Sequence, residues 1–301
     1  MTTETVTVEG RAVEVVRHGA PDAFPLVFQC GTPNAPAEFP QLFDAVTERG
    51  WQLVAHARPG YAGSTRLLGR RVADVAGDVA AILDQLGLAE FVVLGWSGGG
   101  PHALACAALL PDRCQAAASL AGVAPYDAEG LDFLAGMGPE NVEEFVAAAR
   151  SRAELAAFVE PFAAALRDIT AEQVADELGG LIDHVDRGAL TGEFAESMAR
   201  MLRRAVSTGT DGWFDDDLAF VSPWGFELSE IRVPVSIWQG AHDKMVPFAH
   251  GQWLAAHVPG ARVHLSDDEG HLSLVAQLPR ILEELSLDPP DPRGASSPWR
   301  L

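Results

Sequence analysis

From the amino terminus to about Ala121, short apolar runs alternate with longer stretches whose apolar residues stand three and four apart. The runs Leu26–Gln29, Gln52–Ala55, Phe91–Leu94 and Ala116–Ala121 read as strands. The stretches Ala37–Arg49, Val72–Leu86 and His102–Leu110 read as helices, the second of them stopped by Gly87. Two shorter segments, Thr5–Val8 and Ala12–Val16, precede them as a strand pair. Strands that alternate with helices predict an α/β fold, a mainly parallel sheet with helices on both faces.

Between about Pro125 and Ile231 this alternation stops. Asn141–Arg167, Ala171–Asp186 and Glu193–Val206 carry helical spacing with few strand-like runs. The β-α pattern then resumes with Val233–Gln239 and Ala261–Leu265. The chain therefore divides into a first part of the core over 1–124, a helical insertion over 125–231 and a second part of the core over 232–287. An irregular tail over 288–301 follows, with Pro289, Pro290, Pro292 and Pro298.

The pentapeptide Gly95-Trp96-Ser97-Gly98-Gly99 stands between a strand and a helix. A sharp turn there holds its serine in a strained conformation with Oγ exposed, which makes Ser97 the candidate nucleophile. A serine hydroxyl needs a base to take its proton, and the base needs a carboxylate to orient it. Asp243 follows the strand-like Val233–Gln239, and His271 follows Ala261–Leu265. The order Ser97, Asp243, His271 fits a nucleophile, acid and base, each on a loop beyond a strand. Asp127 is a rival acid after the preceding strand; Asp267, Asp268 and Glu269 read as loop charges, and His242 and His102 as structural.

These residues make the chain resemble the α/β-hydrolase superfamily over about Val6 to Leu285. It is most similar to cap-bearing, serine-nucleophile α/β hydrolases of actinobacterial type and more distantly similar to proline iminopeptidases. Gly31-Thr32-Pro33 and the run Arg58-Pro59-Gly60-Tyr61-Ala62-Gly63-Ser64 extend the likeness. It implies an eight-stranded-type sheet, with the insertion as a cap over the cleft, and Thr32 and Gly98 as backbone N–H donors to the oxyanion. It departs from the family at Cys30, where a histidine is usual, and at Ala57, where an aspartate is usual. The resemblance further implies hydrolysis of a small-molecule ester, or an amide, through an acyl-enzyme, with no metal, nucleotide or flavin. The same triad serves aminopeptidases, carbon–carbon bond hydrolases and perhydrolases, and a ligand-binding protein on this scaffold is the alternative from another class.

Charge narrows the partners. The chain of 301 residues has a net charge of −21, which argues against nucleic acid and anionic membrane surfaces. The first residues lack a basic and an apolar region, no apolar run reaches a membrane span, and Cys30, Cys106 and Cys114 have no metal-ligand spacing; a reduced cytoplasmic protein is expected. Nothing in the pattern sets an oligomeric state. The insertion alone, from Asp127 to Glu230, carries 22 acidic and 7 basic side chains. Such a charge solvates an outer surface or, turned inward, disfavours anionic substrates and recognises a cation. Trp96, Trp213, Phe214 and Trp224, with Phe220 and Phe226, are candidates for the substrate pocket or for packing between insertion and core. Asp215, Asp216 and Asp217 read as helix-capping or solvated charges.

Overall fold

The β-α alternation becomes one sheet of eight strands: β1 (Thr2–Val8), β2 (Arg11–His18), β3 (Pro25–Gln29), β4 (Gln52–His56), β5 (Phe91–Trp96), β6 (Cys114–Leu120), β7 (Val235–Gly240) and β8 (Arg262–Ser266). In this computed structural model, which describes residues 1–286, they lie in the order β1-β2-β4-β3-β5-β6-β7-β8. The segment expected as a tail over 288–301 lies outside the described residues. β1 and β2 run antiparallel to each other, and β2 antiparallel to β4; every later pairing is parallel.

The helices of the first half are α1 (Pro40–Glu48), α2 (Asp74–Leu86) and α3 (Gly99–Leu109). Between β6 and β7 stand α4 (Pro139–Arg150), α5 (Arg152–Leu166), α6 (Ala171–Glu177), α7 (His184–Ala189), α8 (Gly192–Ala205) and α9 (Asp211–Phe220), and α10 (Phe248–His257) and α11 (Leu278–Leu285) close the fold. β3 shows why both faces are covered. Its Leu26 and Phe28 pack with Leu42 of α1 and Ile281 of α11, while Val27 packs with Val79, Leu104 and Leu254 of α2, α3 and α10. Burying one such side chain contributes about 1.5–3 kcal/mol, so a sheet apolar on both sides must be covered on both.

Two expected helices are divided. The stretch Asn141–Arg167 breaks at Ser151, whose backbone is extended and whose Oγ accepts the Glu154 N–H at 3.1 Å. That hydroxyl begins a new helix rather than continuing the old one. Ala171–Asp186 ends early because Gly179 takes a positive φ of 50°; a 3₁₀ turn over Gly179–Leu181 precedes α7. The aromatic segment after Thr210 is itself a helix, α9, buried around almost its whole circumference.

Parallel strands bring their carboxyl ends to one edge of a sheet. The loops after β3, β4, β5, β7 and β8 therefore carry Thr32, Arg58, Ser97, Asp243 and His271 to that edge.

Candidate active site

Ser97 has φ of 56°, a left-handed conformation uncommon for a residue with a Cβ, between the end of β5 and the start of α3. Its N–H donates to Leu120 O at 2.8 Å, and its carbonyl accepts from the Gly100 N–H at 2.8 Å, so the strain is held by the neighbouring strand and helix. Gly99 has to be glycine, because a Cβ there would collide with the Gln29 and Cys30 carbonyls of the adjacent loop. That closeness carries the Gly31–Thr32 segment over the serine: a Cβ on Gly31 would lie 3.2 Å from Ser97 Cβ, and one on Gly98 2.6 Å from Thr32 Oγ1. Thr32 and Gly98 thus meet beside Ser97.

His271 Nδ1 lies 2.8 Å from Asp243 Oδ2, and both side chains are buried. Gln239 Nε2 donates to the same oxygen at 2.8 Å, while the Met245 and Val246 N–H groups donate to Oδ1 at 2.9 and 2.7 Å. Asp243 is therefore fixed in place as an acceptor from four donors. Burial would lower the His271 pKa, but the charge and hydrogen bond of Asp243, with the charge of Asp186, hold it above the ordinary value. The histidine ring also stacks on Trp96, with centroids 6.1 Å apart.

Ser97 and His271 face one cavity of about 120 Å³, walled by Gly31, Thr32 and Trp96 from the core and by Phe158, Phe162, Leu178, Met198 and Trp213 from the insertion. Three carboxylates of the insertion, Glu140, Glu144 and Glu177, also line it. Four aromatic candidates, Phe214, Phe220, Trp224 and Phe226, lie outside its wall. Phe214 packs under the Arg66 and Arg152 guanidiniums, and Trp224 stacks on Phe226 against the α3 side of the core. Asp127 is exposed and also outside the cavity wall.

The Asp215–Asp217 run departs most from its reading as solvated charge, since all three are buried. Asp215 pairs with Arg66 at 2.7 Å, and Asp216 with Arg58 at 2.5 Å and Arg70 at 2.6 Å. Burial works against ionisation of Asp216, but Arg58 and Arg70 outweigh it and hold the carboxyl well below the usual range. Asp217 faces Glu144; burial and that neighbouring charge push the Asp217 carboxyl well above the usual range. A further buried carboxylate of the insertion, Asp186, accepts the backbone N–H groups of His271, Leu272 and Ser273 at 2.9, 2.7 and 3.0 Å. Sequence spacing missed both Asp186 and Asp216, whose partners stand far away along the chain.

Cys30 is buried, and burial pushes its thiol up to about 12, which leaves it a packing residue. His242 Nδ1 lies 2.8 Å from Asp183 Oδ2, and His102 packs beside Phe220 with its pKa lowered by burial to about 4. Among the described residues, Asp183, His184 and His242 bring one ligating atom each within 4.8 Å of one another, outside the cavity wall. No helix among them is long and apolar enough to cross a membrane.

Comparison with known proteins agrees with this architecture. A family profile described as the alpha/beta hydrolase fold matches residues 24–276. The chain is 30% identical over 249 residues to a non-heme chloroperoxidase of Streptomyces lividans, covering 81% of this chain and 83% of that one. It is 29% identical over 239 residues to a pimeloyl-[acyl-carrier protein] methyl ester esterase of Aromatoleum aromaticum, covering 77% and 86%. A solved alpha/beta hydrolase fold protein from Nakamurella multipartita superposes with a TM-score of 0.63 at 26% identity, over 94% of this chain and 98% of that one.

Proposed function

The chain belongs to the α/β-hydrolase family, and on that premise we propose that it is a serine hydrolase of small-molecule carboxylic esters, working through an acyl-enzyme. One observation carries this reading: a serine in a left-handed elbow and a histidine paired with a buried aspartate at 2.8 Å line the same cavity. Ser97 Oγ attacks the carbonyl carbon as His271 Nε2 takes its proton. Charge then builds on the carbonyl oxygen, where the Thr32 and Gly98 N–H groups stabilise it; losing one such donor typically costs about 3–4 kcal/mol. His271 returns the proton to the leaving alcohol, and water, activated by the same imidazole, releases the acid. Asp243 fixes the imidazole tautomer and stabilises the imidazolium. Trp96 and Trp213 form apolar wall for the substrate, and the insertion caps the cavity.

Ester is favoured over peptide because Cys30-Gly31-Thr32-Pro33-Asn34 and Gly95-Trp96-Ser97-Gly98-Gly99 differ from the segments usual in proline iminopeptidases. Three free, buried cysteines support a reducing, cytoplasmic setting. The test is a panel of p-nitrophenyl esters of graded chain length beside aminoacyl nitroanilides, with a fluorophosphonate as an active-serine label. Ester turnover is expected, and Ser97→Ala lowers kcat by about a million-fold in a folded protein. More than a few per cent of activity left in Ser97→Ala, or turnover of nitroanilides alone, overturns the proposal.

A further inference from the structure

Asp216 stands on α9 in the insertion, yet its partners all lie in the core. Its Oδ2 accepts from Arg58 Nη2 at 2.5 Å, Thr32 Oγ1 at 2.7 Å and Tyr61 OH at 2.8 Å; its Oδ1 accepts from Arg58 Nε at 3.1 Å and pairs with Arg70 Nη1 at 2.6 Å. His102 Nε2 stands 3.7 Å from Oδ1. Arg58, so held, turns its remaining donors to the loop after β3: Nη1 donates to Cys30 O at 2.6 Å and Nη2 to Gly31 O at 3.0 Å.

That last bond reaches the chemistry. A trans peptide is planar, with its C=O and N–H pointing opposite ways. Gly31 O and the Thr32 N–H belong to one such plane, so fixing the oxygen on Arg58 fixes the direction of the N–H. The Thr32 side chain, bound to Asp216, removes the remaining freedom of the loop. We infer that Asp216, acting through Arg58 and the Thr32 hydroxyl, is a positioning residue that aims the Thr32 N–H at the developing oxyanion. The inference rests on the serine-hydrolase reading above.

An aspartate supplied by α9 thus makes the oxyanion loop depend on the insertion. The arrangement is a buried charge cluster: the side chains of Arg58, Arg70 and Asp216 are each at most 3% exposed. A purely structural cluster of this kind would affect stability when broken and leave the chemical step of the folded enzyme alone. A positioning cluster affects the transition state, because the N–H it aims is used only when charge develops.

Asp216→Asn and Arg58→Lys separate the two roles. Lysine keeps a cation opposite Asp216 but lacks the planar fork that spans both loop carbonyls. For neutral p-nitrophenyl esters, both variants are expected to lose roughly 100-fold in kcat with KM within a few-fold. Inactivation by a fluorophosphonate, whose phosphoryl oxygen takes the oxyanion position, slows in parallel. If Asp216→Asn does not fold, Arg58→Lys decides alone. Folded variants that keep kcat and the inactivation rate within twofold, with only a lower Tm, overturn the positioning role and leave the serine-hydrolase reading standing. A wild-type protein that neither hydrolyses esters nor takes the label overturns that reading and this inference with it.

Discussion

At the scale of single residues, the arrangement around His271 has consequences that can be measured. Asp243 accepts from four donors, two on each oxygen, and an amide in its place would set its NH2 against two of them and stabilise the wrong imidazole tautomer. Asp243→Asn is expected to lower kcat about ten-thousand-fold, while Asp127→Asn changes it little; the reverse result would move the acid to the loop after β6. The proposed mechanism needs the neutral imidazole. Since Asp243 and Asp186 raise the His271 pKa, activity falls on acidification from a point above the ordinary value of about 6.5. Removing the Asp186 charge in Asp186→Ala should shift that limb of the kcat/KM profile to lower pH, and a limb unmoved in the folded variant would deny Asp186 any electrostatic part. Ser97, Asp243 and His271 could be picked out in the chain because each stands within a few residues of the end of a strand-like run. Asp186 and Asp216 could not, because the groups that bury and satisfy them come from segments 85 and 158 residues away. A run of three aspartates looks solvated until Arg58 and Arg70 are folded against it.

Elements were legible where hydrophobic period and stop signals agree, as in α2 with Gly87 in left-handed conformation at its end. In the insertion, period alone ran α4 into α5 and α6 into α7. The missing signals were short: Ser151 with Glu154, and the pair Gly179-Gly180. His250 helps tie α10 to the loop after β6: its Nδ1 accepts the Ala124 N–H at 3.1 Å while Nε2 reaches Phe133 O at 2.8 Å. Only the neutral ring can accept and donate in this way, and burial lowers its pKa to about 4. The folded pKa lies below the unfolded value of about 6.5, so its stabilising effect is complete above that value and is lost as pH falls from about 6.5 toward 4. Each proton taken up only on unfolding removes about 1.4 kcal/mol per pH unit across that window. Buried His56 and His102, lowered to about 3 and 4, act in the same direction. His250→Gln should be less stable at pH 7 by about 1–2 kcal/mol and show a shallower loss between pH 6.5 and 4 in urea unfolding. An unchanged slope would mean that the ring is not kept neutral.

For the whole molecule, the question is what an insertion with 22 acidic and 7 basic side chains does to substrates. Part of the charge is internal and already matched: Asp215, Asp216 and Asp186 answer to arginines and backbone donors of the core. Another part reaches the cavity. Glu140, Glu144 and Glu177 line it, and among the described residues no arginine or lysine does. Glu144 stands against Asp217, and burial raises the pKa of both, which works against their ionisation; Glu140 accepts the Gly180 N–H at 3.1 Å through one oxygen. Attraction between charges a few ångströms apart is about 1 kcal/mol in water and about 4 kcal/mol where the surroundings are partly desolvated, and a tenfold preference needs only about 1.4 kcal/mol. Matched p-nitrophenyl esters bearing an ammonium, a neutral or a carboxylate group should therefore be turned over in that order of kcat/KM, with at least a tenfold gap between cation and anion at low salt. The gap should narrow as ionic strength rises, because the cavity opens to solvent and its charges are screened there. Glu140→Gln should narrow it at low salt without lowering turnover of the neutral ester. Equal kcat/KM for all three esters at both ionic strengths would show that the acidity of the insertion acts only on its outer surface, and that the cavity selects its substrate by shape and apolar contact alone.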